Sequence, residues 1–136
     1  MFDAHMAKVL IADDDPVVRH ILTAMVESLG HEVSLAQSGT ECLNVVRELH
    51  QADDLPEVLF LDYQLLDLSG IEVLREIRAT VSAATLPAVM LSANTRQELE
   101  ELNSDVLPDL YLEKPFTAED VAFVLEEALG GQESRS

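Results

Sequence analysis

The sequence has few of the groups that would tie the chain to an oxidising compartment or a membrane. Cysteine occurs once, at Cys42, so no disulfide can form within the chain, and its place in an apolar helical stripe predicts an inert buried thiol. No apolar run approaches the about 18 residues of a membrane-spanning helix, and the first residues lack a basic segment followed by an apolar one. We therefore expect a cytoplasmic location.

Basic residues are also scarce. Eight Lys and Arg stand against 26 Asp and Glu, which gives a formal net charge of -18. This balance opposes binding to nucleic acid or to anionic membranes. Acidic clusters such as Glu98-Leu99-Glu100-Glu101 are interpreted as solvated helix faces. The only lysines are Lys8 and Lys114.

The length of 136 residues fits one domain with a substantial core. Residues 1–6 have no periodicity and end on a second Met, so we interpret them as an expression remnant. The domain is expected over residues 7–130, and residues 131–136 are expected to form a disordered tail.

Short apolar runs alternate with helical patterns along the whole chain. The runs lie at 9–11, 32–36, 58–61, 88–91 and 110–112. Helices are predicted after each run, beginning near Pro16, Gly39, Gly70, Thr95 and Thr117. The first is expected to stop at Gly30 and the last at Gly130-Gly131, while the fourth is expected to be short.

Five β-α units predict an α/β fold with a doubly wound parallel sheet, since parallel neighbours need helical crossovers. Two strand orders are common for such sheets, 3-2-1-4-5-6 and 2-1-3-4-5. The half-polar second run at 32–36 suits an edge strand, which favours the flavodoxin-like order 2-1-3-4-5 with helices on both faces.

Four of the five runs end on a reactive polar group. The first leads into Asp13, Asp14 and Asp15, the third into Asp62, the fourth into Ser92, and the fifth into Glu113 and Lys114. Because parallel strands end at one edge of the sheet, these groups are expected to form a single site. Taken one at a time, each has an ordinary interpretation as a helix cap, loop acid, turn residue or surface charge.

The combination suits phosphoryl chemistry. Neighbouring carboxylates stay ionised only if a cation or hydrogen-bond donors compensate them, and oxygen ligands of this kind suit Mg²⁺. Asp62 could then attack a phosphoryl group as a carboxylate nucleophile. Lys114 would supply a point charge to a phosphoryl oxygen, and Ser92 a hydroxyl donor.

Over residues 7–129 the sequence resembles the receiver domain of two-component response regulators and hybrid histidine kinases. The resemblance rests on four motifs that flank the strand ends, and together they are highly specific. They are Val9-Leu10-Ile11-Ala12-Asp13-Asp14-Asp15-Pro16, Leu61-Asp62 with Gly70, Met90-Leu91-Ser92-Ala93 and Tyr111-Leu112-Glu113-Lys114-Pro115-Phe116.

The resemblance implies a role for each site residue. Asp62 is the phosphoacceptor, and it shares Mg²⁺ with Asp13, Asp14 and the backbone carbonyl of Gln64. Lys114 and Ser92 assist, with Ser92 and Tyr111 as the switch pair. The residues implied to tune the phosphate lifetime are Gln64 and Asn94, and the peptide bond implied to be cis is that between Lys114 and Pro115.

The resemblance also implies a signalling module in a phosphorelay rather than a conventional enzyme. A phosphohistidine on a histidine kinase or phosphotransfer protein donates the phosphoryl group, and the domain itself catalyses formation and loss of the aspartyl phosphate. The event changes the surface of helix 4, strand 5 and helix 5, through which a homodimer can also form.

Three features depart from the usual family pattern. Leu66 stands where a proline is common, and Ser69 stands where an acid is common. The segment 103–109 replaces the usual Gly-Ala-Asp before the last strand. We therefore expect the region of helix 4 to be shorter or irregular.

Two other functions remain open at this stage. The run Asp13-Asp14-Asp15-Pro16-Val17 fits the Asp-x-Asp-x-Val pattern of haloacid-dehalogenase-type phosphohydrolases, in which Asp13 would be the nucleophile. That interpretation lacks room for a cap domain and lacks the usual acidic pair. The third hypothesis is an inactive receiver that acts by protein contact alone, and the filled site positions argue against it.

Overall fold

The computed structural model describes residues 6–102 and 105–133, and within them five strands alternate with five helices. The strands are β1 (Lys8–Ala12), β2 (Glu32–Ala36), β3 (Val58–Asp62), β4 (Ala88–Ser92) and β5 (Leu110–Glu113). The helices are α1 (Pro16–Ser28), α2 (Gly39–Gln51), α3 (Gly70–Arg78), α4 (Arg96–Leu102) and α5 (Ala118–Glu133).

The strands form one parallel sheet in the order β2-β1-β3-β4-β5, so the predicted fold class is confirmed. All five side chains of β3 and of β4 are buried, as central strands covered on both faces require. In β2 only Ala36 is buried, which fits its place at the edge.

The core lies in two layers, one on each face of the sheet. Alternate strand residues point to opposite faces, so Leu10 and Leu59 join the layer under α2 and α3, and Ile11 and Phe60 join the layer under α1 and α5. Cys42 is buried in the first layer, as predicted, and burial raises the pKa of its thiol to about 12.

The two helix ends predicted at glycines differ. At Gly30 the backbone has φ of 93°, the left-handed conformation that ends a helix, and α1 stops just before it. Gly130 has no such conformation, and α5 continues to Glu133. The predicted stop at Gly130-Gly131 is therefore wrong. Of the expected tail, 131–133 belong to α5 and 134–136 lie outside the described residues, as do 1–5 of the expected remnant.

Individual helices show three further features. α4 has seven residues, so the predicted short helix is confirmed. On α1 the face that packs against the sheet is narrow, because Leu22 and Val26 are buried while Ile21 is 42% exposed. No helix in the described ranges is both long and apolar enough to cross a membrane.

Candidate functional site

The parallel sheet brings the predicted polar groups to one edge. Asp13 follows β1, Asp62 is the last residue of β3, Ser92 is the last residue of β4, and Lys114 follows β5. Among the described residues, the buried polar or charged side chains are those of Asp13, Asp62 and Ser92. All three lie at this edge of the sheet. Carboxylates and hydroxyls are usually exposed, so their burial here points to a functional role.

Three carboxylates meet at the centre of the site. Asp13, Asp14 and Asp62 each offer an oxygen within 4.8 Å of the others, which is close enough to share one metal ion. Lys114 Nζ lies 3.3 Å from Asp13 Oδ2 and 3.3 Å from Asp62 Oδ1. One ammonium group therefore contacts two of the three acids, and negative charge is in excess within the cluster.

The pKa of Asp62 reflects this excess of negative charge. Burial, and then the charge of Asp13, raise the pKa of Asp62 to about 6, although the ammonium of Lys114 acts in the opposite direction. Burial disfavours the charged form of Lys114, but Asp62 and Asp13 outweigh it and raise the pKa of the lysine. Oxygen ligands with unbalanced negative charge fit a small divalent cation such as Mg²⁺.

The backbone around Asp13 and Asp62 is held in place by specific contacts. Asp13 Oδ1 accepts a hydrogen bond from the N–H of Asp15 at 2.9 Å, and Arg19 donates to the carbonyl of Asp13 at 2.8 Å. Gly70 packs directly on the backbone of β3, and a Cβ atom there would collide with the carbonyl of Asp62. The start of α3 can approach the phosphoacceptor candidate because residue 70 is glycine.

Gln64 and Asp14 border an open groove beside the cluster, which is also lined by Leu66 and Ser69. The N–H of Gln64 points at Asp62 Oδ1 from 3.4 Å, so the loop folds back toward the acid. Ser69, the expected departure from the family pattern, begins α3 through a reciprocal capping box with Glu72. Its role is in helix initiation, for which its spacing from Glu72 is the sequence clue.

Ser92 is engaged by its neighbour Asn94. Its Oγ accepts the N–H of Asn94 at 2.9 Å and lies 3.4 Å from Asn94 Oδ1. The hydroxyl is therefore held beside the site by a local turn. Directly after β5, the peptide bond between Lys114 and Pro115 is cis, as expected.

Tyr111 is half-buried against α4. Its hydroxyl donates to Glu100 Oε2 at 3.3 Å, and the guanidinium of Arg96 lies 5.4 Å from the centre of its ring. Arg96 and Glu100 also form an ion pair at 2.9 Å, one helical turn apart. The contacts of Arg96 and Glu100 with Tyr111 were not predicted from the sequence. The available clue was their spacing of four residues, which places them on one face of a helix.

A sequence profile of the response regulator receiver domain matches residues 9–126. This chain belongs to that family. The receiver domain is a signalling module, and the expected resemblance is confirmed.

The receiver is similar to parts of longer proteins. The response regulator MprA of Mycolicibacterium vanbaalenii is 34% identical over 114 residues, which cover 84% of this chain and 46% of that protein. The peroxide stress-activated histidine kinase mak3 of Schizosaccharomyces pombe is 35% identical over 122 residues, or 88% of this chain and 5% of that protein. This chain spans less than half of either relative.

Among solved structures, the receiver resembles the receiver domain of sensor histidine kinase PA1611 from Pseudomonas aeruginosa. The TM-score is 0.80 at 27% identity, and the match covers 93% of this chain and 99% of that one. The PA1611 domain was solved with a magnesium ion coordinated in its active site cleft.

Proposed function

We propose that this receiver accepts a phosphoryl group on Asp62 from a phosphohistidine donor. The observation that carries the proposal is the buried Asp62 carboxylate at the end of β3, with Lys114 Nζ bridging it to Asp13 at 3.3 Å on either side. Asp13, Asp14, Asp62 and the backbone carbonyl of Gln64 would hold Mg²⁺, which compensates the charge of the acids and of the phosphoryl oxygens when it is bound.

The chain's own residues account for the transfer. A carboxylate oxygen of Asp62 forms a bond to phosphorus while the bond from phosphorus to the donor imidazole breaks, and the imidazole leaves with the electron pair. Lys114 supports a phosphoryl oxygen with its charge. The raised pKa of Asp62, about 6, leaves the nucleophile mainly ionised at neutral pH and protonated in more acidic solution.

Hydrolysis of the aspartyl phosphate by water would return the domain to its resting state. The two side chains that flank the phosphoryl position, Gln64 and Asn94, are proposed to set its lifetime. Asn94 already contacts the hydroxyl of Ser92. A new anion on Asp62 would draw Ser92 toward the site and release Tyr111 from its contacts, which changes the surface formed by α4, β5 and α5.

The donor is proposed to be a histidine kinase or a histidine phosphotransfer protein. Apolar side chains are exposed on α1, which follows Asp13 and Asp14, and in the loop that carries Gln64: Val17 is 62%, Ile21 42% and Leu66 88% exposed. Such side chains suit a helical partner that brings its histidine to Asp62. We propose that the receiver domain begins at residue 7 and extends past the expected limit of residue 130 to the end of α5 at Glu133, and that the surface of α4, β5 and α5 is the contact of a homodimer.

The proposal is tested with acetyl phosphate and Mg²⁺, followed by mass spectrometry of the intact chain. We expect the wild type to gain one phosphoryl group and Asp62→Asn to gain none. Asp54→Asn is the matched control, because Asp54 is an exposed acid paired with Lys8 near the opposite edge of the sheet. A wild type that gains no phosphoryl group would favour an inactive receiver instead.

A further inference from the structure

The loop between β3 and α3 is fastened to α2 by one side chain. Asp67 Oδ1 accepts the N–H of Gly39 at 2.8 Å, and Asp67 Oδ2 accepts the N–H of Thr40 at 3.0 Å. The partners are 28 and 27 residues away in the chain. A single carboxylate therefore joins the loop beside the site to a separate helix.

The start of α2 favours this anion. The first N–H groups of a helix have no partners within it and carry a partial positive charge. Ser38 Oγ takes the N–H of Glu41 at 3.1 Å, which leaves those of Gly39 and Thr40 to Asp67. Hydrogen bonds, led by the side chain of Thr40, lower the pKa of Asp67 to about 2, so the anion persists at every physiological pH.

Close packing accompanies these hydrogen bonds. A Cβ atom on Gly39 would come within 2.9 Å of Leu68 Cβ and 3.2 Å of Asp67 Oδ1. Glycine at position 39 thus lets the loop lie directly against the backbone of α2. The contact is continuous, from the carboxylate of Asp67 to the side chain of Leu68.

The same loop carries Gln64. At its base, Gly70 N–H donates to the carbonyl of Tyr63 at 2.6 Å, and Gln64 forms an isolated antiparallel bridge with Ser69. Gln64 is thereby linked to the end of the loop that Asp67 holds. The groove beside Asp14 runs along this segment and includes both Gln64 and Asp67.

We propose that Asp67 is a positioning residue for metal binding. By fastening the loop to α2, it holds the backbone of Gln64 beside Asp62 and along the groove that Asp14 also lines, so that the binding energy of the metal ion is not spent on ordering the loop. This inference rests on the proposed function, in which the carbonyl of Gln64 is a ligand. It adds a residue outside the carboxylate cluster to the determinants of Mg²⁺ affinity.

The test is a Mg²⁺ titration followed through backbone amide chemical shifts around Asp62. For Asp67→Ala we expect the half-saturating Mg²⁺ concentration to rise by about 3- to 10-fold, less than the roughly 10- to 100-fold that direct partners of metal ligands contribute, because Asp67 acts through the loop and does not contact a ligand itself. Asp67→Asn keeps one acceptor oxygen, so its half-saturating Mg²⁺ concentration should lie between those of Asp67→Ala and the wild type. The Mg²⁺ concentration for half-maximal phosphorylation by acetyl phosphate should shift in parallel, while the rate at saturating Mg²⁺ changes less.

Ser38→Ala is the matched control. It also removes a cap of α2, but it leaves the loop fastened, so it should lower the unfolding midpoint without shifting the Mg²⁺ titration. The inference would be overturned if the wild type and Asp67→Ala had the same half-saturating Mg²⁺ concentration. It would also be overturned if Ser38→Ala raised that concentration as much as Asp67→Ala does. A wild type that binds Mg²⁺ but takes no phosphoryl group would sink the proposed function alone, whereas one that binds no Mg²⁺ would overturn both.

Discussion

The edge of the sheet at which the strands begin and the edge at which they end differ in how their charged groups are compensated. At the edge where the strands begin, charged groups form ion pairs that are exposed or partly exposed, as in Lys8 with Asp54 at 2.8 Å and Arg78 with Asp109 at 3.2 Å. Where the strands end, Asp13, Asp14 and Asp62 lie together, Lys114 forms ion pairs with Asp13 and Asp62, and the side chain of Asp13 is fully buried.

The difference shows which charges serve the fold. At the beginning of the strands each acid in these pairs has a basic partner, and a fully accessible pair such as Lys8 with Asp54 adds little to stability. The acids at the end of the strands repel one another and are incompletely compensated, so they work against folding until a cation binds. Unbalanced buried charge is typical of a functional site.

The two lysines of the chain give the largest expected contrast. Lys114→Met removes the ammonium that would support the phosphoryl group, and we expect phosphorylation by acetyl phosphate to slow by roughly 10²- to 10³-fold. Lys8→Met removes an exposed partner at the opposite edge and should leave the rate unchanged. The measurement is the rate of phosphoryl incorporation at saturating Mg²⁺, and similar rates for both variants would contradict the comparison.

The strand-end acids and Lys114 were predictable because their convergence needs no knowledge of packing. Any five parallel strands in one sheet bring their carboxyl ends to one edge, so periodicity in sequence was enough. The tether formed by Asp67 was not predictable, because its hydrogen bonds cross 27 and 28 residues to a helix whose position depends on the whole fold.

A second expected effect is a pH-dependent gain of stability in Asp62→Asn. The pKa of Asp62 rises from 3.8 to about 6 on folding, so the folded state binds more protons between these values and loses stability as pH rises through them. In chelator, Asp62→Asn should be more stable than wild type by about 3 kcal/mol near pH 7.5 and by about 1 kcal/mol near pH 4.5.

Urea unfolding at the two pH values measures this difference. Asp109→Asn at the opposite edge is the matched control, and since it breaks the contact with Arg78 it should be destabilising. A destabilised Asp62→Asn near pH 7.5 would show that the acids at the site are already balanced in the absence of metal.

Gly70→Ala tests how tightly the backbone is packed at the crowded edge. The added methyl group would collide with the carbonyl of Asp62, and we expect destabilisation of about 2 kcal/mol together with slower phosphorylation. Thermal unfolding and the phosphorylation rate measure the two effects. Unchanged stability would mean that α3 can shift away from β3 without loss.

The smallest expected effect concerns Gly130, where sequence reasoning was wrong. A glycine after an apolar stripe usually ends a helix, but whether it does depends on the left-handed backbone conformation, which Gly30 adopts and Gly130 does not. Since a Cβ at Gly130 meets open space, Gly130→Ala should raise stability by about 0.5–1 kcal/mol and leave phosphorylation unchanged. Thermal unfolding measures it, and a loss of stability would contradict the helical conformation at residue 130.

The position of the phosphoryl group tests the central claim most directly. After reaction with acetyl phosphate and Mg²⁺, borohydride reduction converts an aspartyl phosphate to homoserine, which peptide mass spectrometry locates in the sequence. The charge distribution at the end of the strands predicts homoserine at residue 62 in place of Asp62. Homoserine in place of Asp13 would contradict this account and favour the dehalogenase-type mechanism.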